Sequence, residues 1–360
     1  MAGNPLDGFT VDRAAIRYIG HELQRPECIL AEPDGTLWSA DARGGVMRLR
    51  HDGGQTFIGQ RASDRFGAAA ASAAQIEARY TQGTLPNGLA FAADGDILIS
   101  NFGTDLLEVM SRDGATRTLY ERIDGQPIGK VNFVLRDSQD RIWITVSTRV
   151  NPWTAAAASR VRDGYIALVD KGAIRIVAEG FHFTNEIRLD AGEEWLYVVE
   201  TTGPHITRMR VGDDGSLSGR EVFGPSNLGG YPDGIAFDSH GNLWCTLVMT
   251  DQLIALTPQG DKRLLLDDSS PATLAAFQAA IEAQAVTPEL MLATRGSIAP
   301  WMASVTFGGA DLKTVYRGSN ARAHASAKQA DQAPHRQCTI GSPASGALKY
   351  GIRVPIRLPR

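Results

Sequence analysis

The stretch Tyr231–Trp244, YPDGIAFDSHGNLW, constrains this chain more than any other. An acidic residue and a glycine lead into the alternating pair Ile235 and Phe237, and a Ser-His-Gly-Asn turn follows. A second strand opens at Leu243 and Trp244. Alternating apolar residues on both sides of a glycine-bearing turn predict a β-hairpin. The same arrangement recurs as PECILAEPDGTLW from Glu27, PNGLAFAADGDIL from Asn87, VNFVLRDSQDRIW from Asn132 and TNEIRLDAGEEWLYV from Asn185. A weaker copy, ASVTFGGADLKTVY, begins at Ala303. Successive hairpins start 60, 45, 53, 48 and 70 residues apart. Six copies at blade-sized intervals predict an all-β chain folded as a six-bladed β-propeller, with helical insertions near the channel mouth.

That period has a chemical consequence. If each hairpin's first strand is the innermost of its blade, the starting residues ring one mouth of the central channel. They are Glu27, Asn87, Asn132, Asn185, Asp233 and Ala303, five of which end in oxygen. Oxygen ligands with two carboxylates suit a hard cation, Ca²⁺ first, with Mg²⁺, Mn²⁺ or Zn²⁺ as substitutes. Asn and Asp also favour turns and strand ends. Glutamate has no such preference, so five oxygens in register favour the ring.

The 360 residues read as one propeller over 1–316 followed by an atypical tail, 317–360. Net charge is −4 and predicts no nucleic-acid or anionic-membrane partner. From Arg322 to Arg360, however, seven Lys or Arg face the single acid Asp331. Cys28, Cys245 and Cys338 are widely spaced and predict a reducing compartment without a disulfide framework. MAGNPLDGFTVDRAA has no apolar leader core, and no run approaches a membrane span, so the expected location is the cytoplasm. Nothing here sets an oligomeric state.

Ala15–Ile19 is a candidate clasp strand for closing the ring. Helix-prone insertions are expected within Arg61–Gly83, at Asn151–Asp163 and over Ser269–Ala285, the last with Pro271 near its start. Insertions of this kind commonly cover or shape a site. In the tail, Asn320–Ser342 has no apolar period and reads as loop. Gly346–Ile356, GALKYGIRVPI, has the composition of a strand able to complete the last blade.

The motifs LPNGLAF, VNFVLRDSQDRIWIT, FTNEIRLD and YPDGIAFDSHGNLW resemble those of the SMP-30/gluconolactonase/LRE-like propellers, from about Glu22 to Tyr316. Diisopropylfluorophosphatase and the paraoxonases are similar at a greater distance. The resemblance implies a divalent cation, usually Ca²⁺, in the channel mouth and hydrolysis of lactones or related esters. It implies Glu27, Asn132, Asn185 and Asp233 as metal ligands, with Asn132 binding metal or holding substrate. The family's Arg-x-Asn-Asp is here Lys130-Val131-Asn132-Phe133, and Glu186 replaces the glycine after the blade-four asparagine. Phe133 in place of an acid implies a less hydroxylated, more apolar substrate than a sugar lactone.

Asp233 and Asn132 are the catalytic candidates. Asp233 serves either as base or nucleophile, or as ligand only, since ligation lowers a carboxylate's basicity. Asn87, Lys130, Phe133, Glu186 and His182 are candidate substrate contacts. For Asn87 the alternative is a turn residue, and for His182 a loop residue bonded to backbone. No GxSxG, P-loop or GxGxxG is present. A metal-independent strictosidine-synthase-like propeller and a non-catalytic NHL-type binding propeller are the competing readings.

Overall fold

In the computed structural model, which describes residues 3–61, 83–157, 161–294, 296–298, 300–309, 311–320 and 352–355, the hairpins share one connection. At the first, Glu32 N donates to Thr36 O at 2.8 Å and Gly35 N to Glu32 O at 3.0 Å. Gly35 lies at φ +87°, where only glycine enters without strain. Gly95 and Gly241 repeat this, whereas Asp140 (φ 67°) and Glu193 (φ 53°) bear the left-handed conformation with a side chain. Three hairpins carry a further tie, a tryptophan bonded to an acid six residues earlier. Trp38 Nε1 donates to Glu32 Oε2 at 2.6 Å, Trp143 Nε1 to Asp137 Oδ2 at 2.8 Å, and Trp244 Nε1 to Asp238 Oδ2 at 3.0 Å. Each bond lets an indole bury its bulk without orphaning its N–H.

The fold is an all-β propeller. Among the described residues there are six four-stranded antiparallel sheets and one two-stranded ribbon, Arg122–Ile123 with Gln126–Pro127. The first strands of the sheets are Ile29–Ala31, Pro86–Phe91, Val131–Arg136, Thr184–Leu189, Pro232–Phe237 and Met302–Gly308. Each touches the next in order, and Met302–Gly308 touches Ile29–Ala31. The last sheet runs Met302–Gly308, Thr314–Ser319, Ile352–Pro355, Arg17–Tyr18. The amino-terminal strand therefore pairs with Ile352–Pro355 and not directly with the hairpin; Arg17 faces Arg353 and Tyr18 faces Ile352. The strand expected within Gly346–Ile356 is present over those four residues.

Two glycines let the inner strands approach closely. A Cβ on Gly88 would lie 2.7 Å from Phe133 Cα, and one on Gly234 would overlap Ala303 O and Ser304 Cα. Between sheets the core is apolar, with Trp143, Trp244, Ile144, Val198 and Leu256 fully buried. At about 25 cal/mol per Å² of apolar area, each large side chain contributes roughly 1.5–3 kcal/mol. Thr154–Ala157, Pro271–Ala283 and Pro288–Ala293 are helical. No helix among the described residues is long and apolar enough to cross a membrane. The central part of the Arg61–Gly83 insertion and residues 321–351 of the tail lie outside the described residues.

Candidate functional site

The first strands bring the predicted mouth residues together. Asn87 Nδ2 donates to Glu27 Oε1 at 3.0 Å and to the Asn132 backbone carbonyl at 2.9 Å, and lies 3.3 Å from Asn132 Oδ1. Asn185 Nδ2 donates to Thr201 Oγ1 at 3.1 Å, and that hydroxyl donates to Pro232 O at 2.9 Å. Asp233 Oδ2 accepts from Asn320 Nδ2 at 3.2 Å. Glu27, Asn87, Asn132, Asn185 and Asp233 are all buried.

Burial of this acid pair is electrostatically costly. Desolvation, opposed by Arg25 and reinforced by Asp233 and Glu186, pushes the Glu27 carboxyl well above its ordinary range. Burial likewise pushes Asp233 up to about 6, against the Arg25 charge and the hydrogen bonds of Asn185 and Asn320. Glu27 Oε2, Asn185 Oδ1, Glu186 Oε1 and Asn320 Oδ1 are buried and have no hydrogen-bond donor. Orphaned carboxylate and amide oxygens are a poor arrangement for a protein alone and a good one for a hard cation. Among the described residues, no three His, Cys, Asp or Glu side chains are grouped to hold a metal. The set that fits combines two carboxylates with amide oxygens.

The other predicted contacts are distributed differently. Glu186 is buried; its Oε2 accepts from Ile235 N at 3.1 Å and pairs with Arg188 Nη2 at 3.0 Å. Burial, only partly offset by Arg188, raises it to about 7. Lys130 is buried too, with its ammonium 2.9 Å from Asp105 Oδ1 and donating to Phe102 O at 3.2 Å. Phe133 corrects its expected role. It is 2% exposed, packs with Cys28, Leu89 and Ile187, and carries the Arg188 guanidinium 4.5 Å over its ring. It fills the space that Gly88 vacates, so it is a core residue.

His182 is half-buried and donates its backbone N–H to Glu200 Oε2 at 2.9 Å. Its side chain lines a cavity of about 550 Å³ with Arg162, Thr202, His205 and Tyr231. The cavity's lining includes Thr202, next to the Thr201 hydroxyl that holds Asn185, but none of Glu27, Asn87, Asn132, Asn185 and Asp233. Buried Glu200 pairs with half-buried His205, which lines the cavity, with Nε2 3.2 Å from Oε1 and Nδ1 bonded to Gly203 O.

Three residues at the mouth escaped the sequence reading. Arg25 Nη2 donates to Asn87 Oδ1 at 2.6 Å, and Arg25 sits at φ 54°. Its position two residues before Glu27 was the available signal. Arg188 follows Glu186 by two residues, on the same face of a strand. Asn320 lies just past Thr314–Ser319, and no hairpin pattern points to it.

The family model described as SMP-30/Gluconolactonase/LRE-like region matches residues 25–278. A 6-deoxy-6-sulfogluconolactonase of Pseudomonas putida is 26% identical over 203 residues, 54% of this chain and 60% of that protein. The Arabidopsis thaliana protein STRICTOSIDINE SYNTHASE-LIKE 10 is 27% identical over 169 residues, 45% of this chain and 44% of that one. The chain thus matches less than two thirds of the length of these curated relatives. The crystal structure of a calcium-binding protein, regucalcin, from Agrobacterium tumefaciens superposes with a TM-score of 0.64 at 17% identity, covering 97% of this chain and 95% of that one. At that identity the likeness is one of fold.

Proposed function

The chain belongs to the SMP-30/gluconolactonase/LRE-like family, and on that premise we propose that it is a divalent-cation-dependent hydrolase opening lactones or related esters. The observation that carries this reading is the buried Glu27–Asp233 pair with donorless Glu27 Oε2 and Asn185 Oδ1 at its side. The sulfogluconolactonase and the calcium-binding regucalcin support lactone chemistry and Ca²⁺ respectively. In this reading the six four-stranded sheets are six blades, residues 1–316 form the catalytic unit, and the 317–360 tail lends it one strand. A cytoplasmic location follows from the reduced-cysteine reading and remains part of the proposal.

Glu27, Asn132, Asn185 and Asp233 would hold the cation. Bound there, it supplies Lewis acidity to the substrate carbonyl. Asn320 fixes Asp233 Oδ2, so the free Oδ1 would serve either as a cation ligand or as the base that takes a proton from the attacking water. Asn87 is engaged by Arg25, Glu27 and Asn132, so its work is to orient Glu27. The cavity lined by His182, whose walls mix Tyr231, Ile281 and Val286 with Arg162, His205 and Glu282, is the candidate for receiving the body of the substrate.

The test is metal removal. Chelated protein should keep its β-sheet spectrum and lose lactone hydrolysis, regaining it on Ca²⁺ addition. Asp233→Ala and Glu27→Ala should each lower kcat/KM on the order of 10²–10³-fold. Full activity in the chelated protein would point instead to a metal-independent propeller chemistry.

A further inference from the structure

The candidate ring has a gap in its sixth sector. Asn87, Asn132, Asn185 and Asp233 supply polar side chains from four first strands and Glu27 from just before Ile29–Ala31, but the sixth, Met302–Gly308, offers Ala303. Ala303 is buried, and its carbonyl accepts from Thr246 Oγ1. This sector cannot contribute a side-chain oxygen from the expected position.

A residue from the neighbouring strand sits there instead. Asn320 immediately follows Thr314–Ser319, the second strand of the same sheet. Its backbone is anchored on both sides: Asn320 N donates to Trp301 O at 2.9 Å, and Ser319 N donates to Pro26 O at 3.0 Å. Pro26 adjoins Glu27, so the backbone at Ser319 is tied to the chain segment that carries Glu27. The side-chain Nδ2 of Asn320 donates to Asp233 Oδ2 at 3.2 Å. Its other terminal atom, Oδ1, is buried and receives no hydrogen bond. Asn320 Oδ1 thus joins Glu27 Oε2, Asn185 Oδ1 and Glu186 Oε1 as a buried oxygen without a donor.

The close approach is built into the backbone. A Cβ on Gly318 would overlap the carbonyls of Pro26 and Glu27, so only glycine lets this strand end reach the first sheet. Gly318 thus brings Asn320 to the mouth, much as Gly88 and Gly234 bring the inner strands together. An amide whose nitrogen is spent on a carboxylate has one orientation left for its oxygen. That oxygen is a neutral ligand added without further negative charge, suited to a site that already holds two buried acids.

We propose that Asn320 is the sixth sector's contribution to the site, directing Oδ1 to the bound divalent cation while Nδ2 orients Asp233. This rests on the metal-dependent reading above and adds to it a ligand from outside the repeated hairpin positions.

The experiment uses Tb³⁺ as a Ca²⁺ substitute in the full chain, comparing luminescence lifetimes in H₂O and D₂O to count metal-bound waters. Calorimetric Ca²⁺ titration gives affinity in parallel. Asn320→Ala should bind one more water and lose about tenfold in Ca²⁺ affinity, equivalent to one lost ligand of about 1.4 kcal/mol. Asn320→Asp, which keeps an oxygen there, should hold the wild-type water count; it also serves if Asn320→Ala proves unstable. An unchanged water count in Asn320→Ala, with the metal still bound, would overturn direct ligation and leave the hydrolase reading standing. Failure of the wild-type protein to bind either ion would overturn both.

Discussion

Gly88 and Phe133 interlock across neighbouring sheets: a Cβ on Gly88 would lie 2.7 Å from Phe133 Cα and 2.8 Å from its Cδ2. The aromatic ring occupies the room that the missing side chain leaves, under the Arg188 guanidinium. Phe133→Ala should therefore cost about 3–5 kcal/mol in urea denaturation, as large-to-small core substitutions do. Phe133→Asp, which restores the family's acid, should destabilise further by burying a carboxylate beside Glu186. A folded Phe133→Asp protein of wild-type stability, with altered substrate preference, would return Phe133 to the binding surface.

The tryptophan–acid ties differ in burial, and their value should differ accordingly. Asp137 Oδ2 accepts from both Trp143 Nε1 at 2.8 Å and Arg141 Nε at 2.6 Å, with Asp137 and Arg141 both buried. Asp137→Ala leaves a buried guanidinium without its carboxylate, at a cost of about 3–5 kcal/mol. Glu32 is partly exposed, as is its partner Arg112, so Glu32→Ala should cost only about 1 kcal/mol. Equal losses in the two variants would show that burial is not what sets them apart.

The Glu200–His205 pair predicts a pH signature. Burial raises Glu200, but hydrogen bonds from His205, Thr207 and the His182 amide outweigh it and hold the carboxyl at about 2. Its stabilisation is whole above about pH 4.5 and is lost as pH falls towards 2. Burial would lower His205, yet Glu200 and the Gly203 carbonyl raise it above 6.5 against the nearby Arg162 charge. That contribution is whole below pH 6.5 and fades as pH rises through the raised value. Wild type should exceed Glu200→Gln by about 2 kcal/mol between about pH 5 and 6, narrowing on either side. A difference independent of pH from about 3 to 9 would mean that the pair is held by packing alone.

Removing residues 346–360 should lower Tm by several degrees, since it strips the strand between Thr314–Ser319 and Arg17–Tyr18 and exposes two edges. Cleavage within Arg322–Gln337 should leave activity in place, because that stretch has the composition of a linker. An unchanged Tm after the deletion would make the strand dispensable.

Much of this was legible because hairpins repeat in short, local patterns. Asp34-Gly35 and His240-Gly241 announce turns through glycine's access to positive φ, and alternation around Ile235 announces which face is buried. The mouth residues from Glu27 to Asp233 came from register alone, since equivalent strand positions share one end of the sheets. Register could not tell that the residue after Asn132 points into the core, because inner strands carry irregularities between Val131 and Phe133 and between Pro232 and Ile235. A slip of one residue reverses a side chain's direction. Arg25 and Asn320 lie outside the repeated hairpins, and only tertiary approach brings them to Asn87 and Asp233.

The pairing of Arg17 with Arg353 has a consequence for synthesis. A ribosome releasing this chain from its amino end completes the first five sheets while the sixth still lacks its third and fourth strands. Met302–Gly308 and Thr314–Ser319 then stand as a lone hairpin, and the strand Arg17–Tyr18 waits without a neighbour. Pairings so distant in sequence form slowly, and unpaired edges are where nascent chains associate wrongly. Translation that stops before residue 352 would yield a product that is open-edged and prone to aggregate. Quality control would meet a sixth sheet whose inner strands are in place and whose outer half is open.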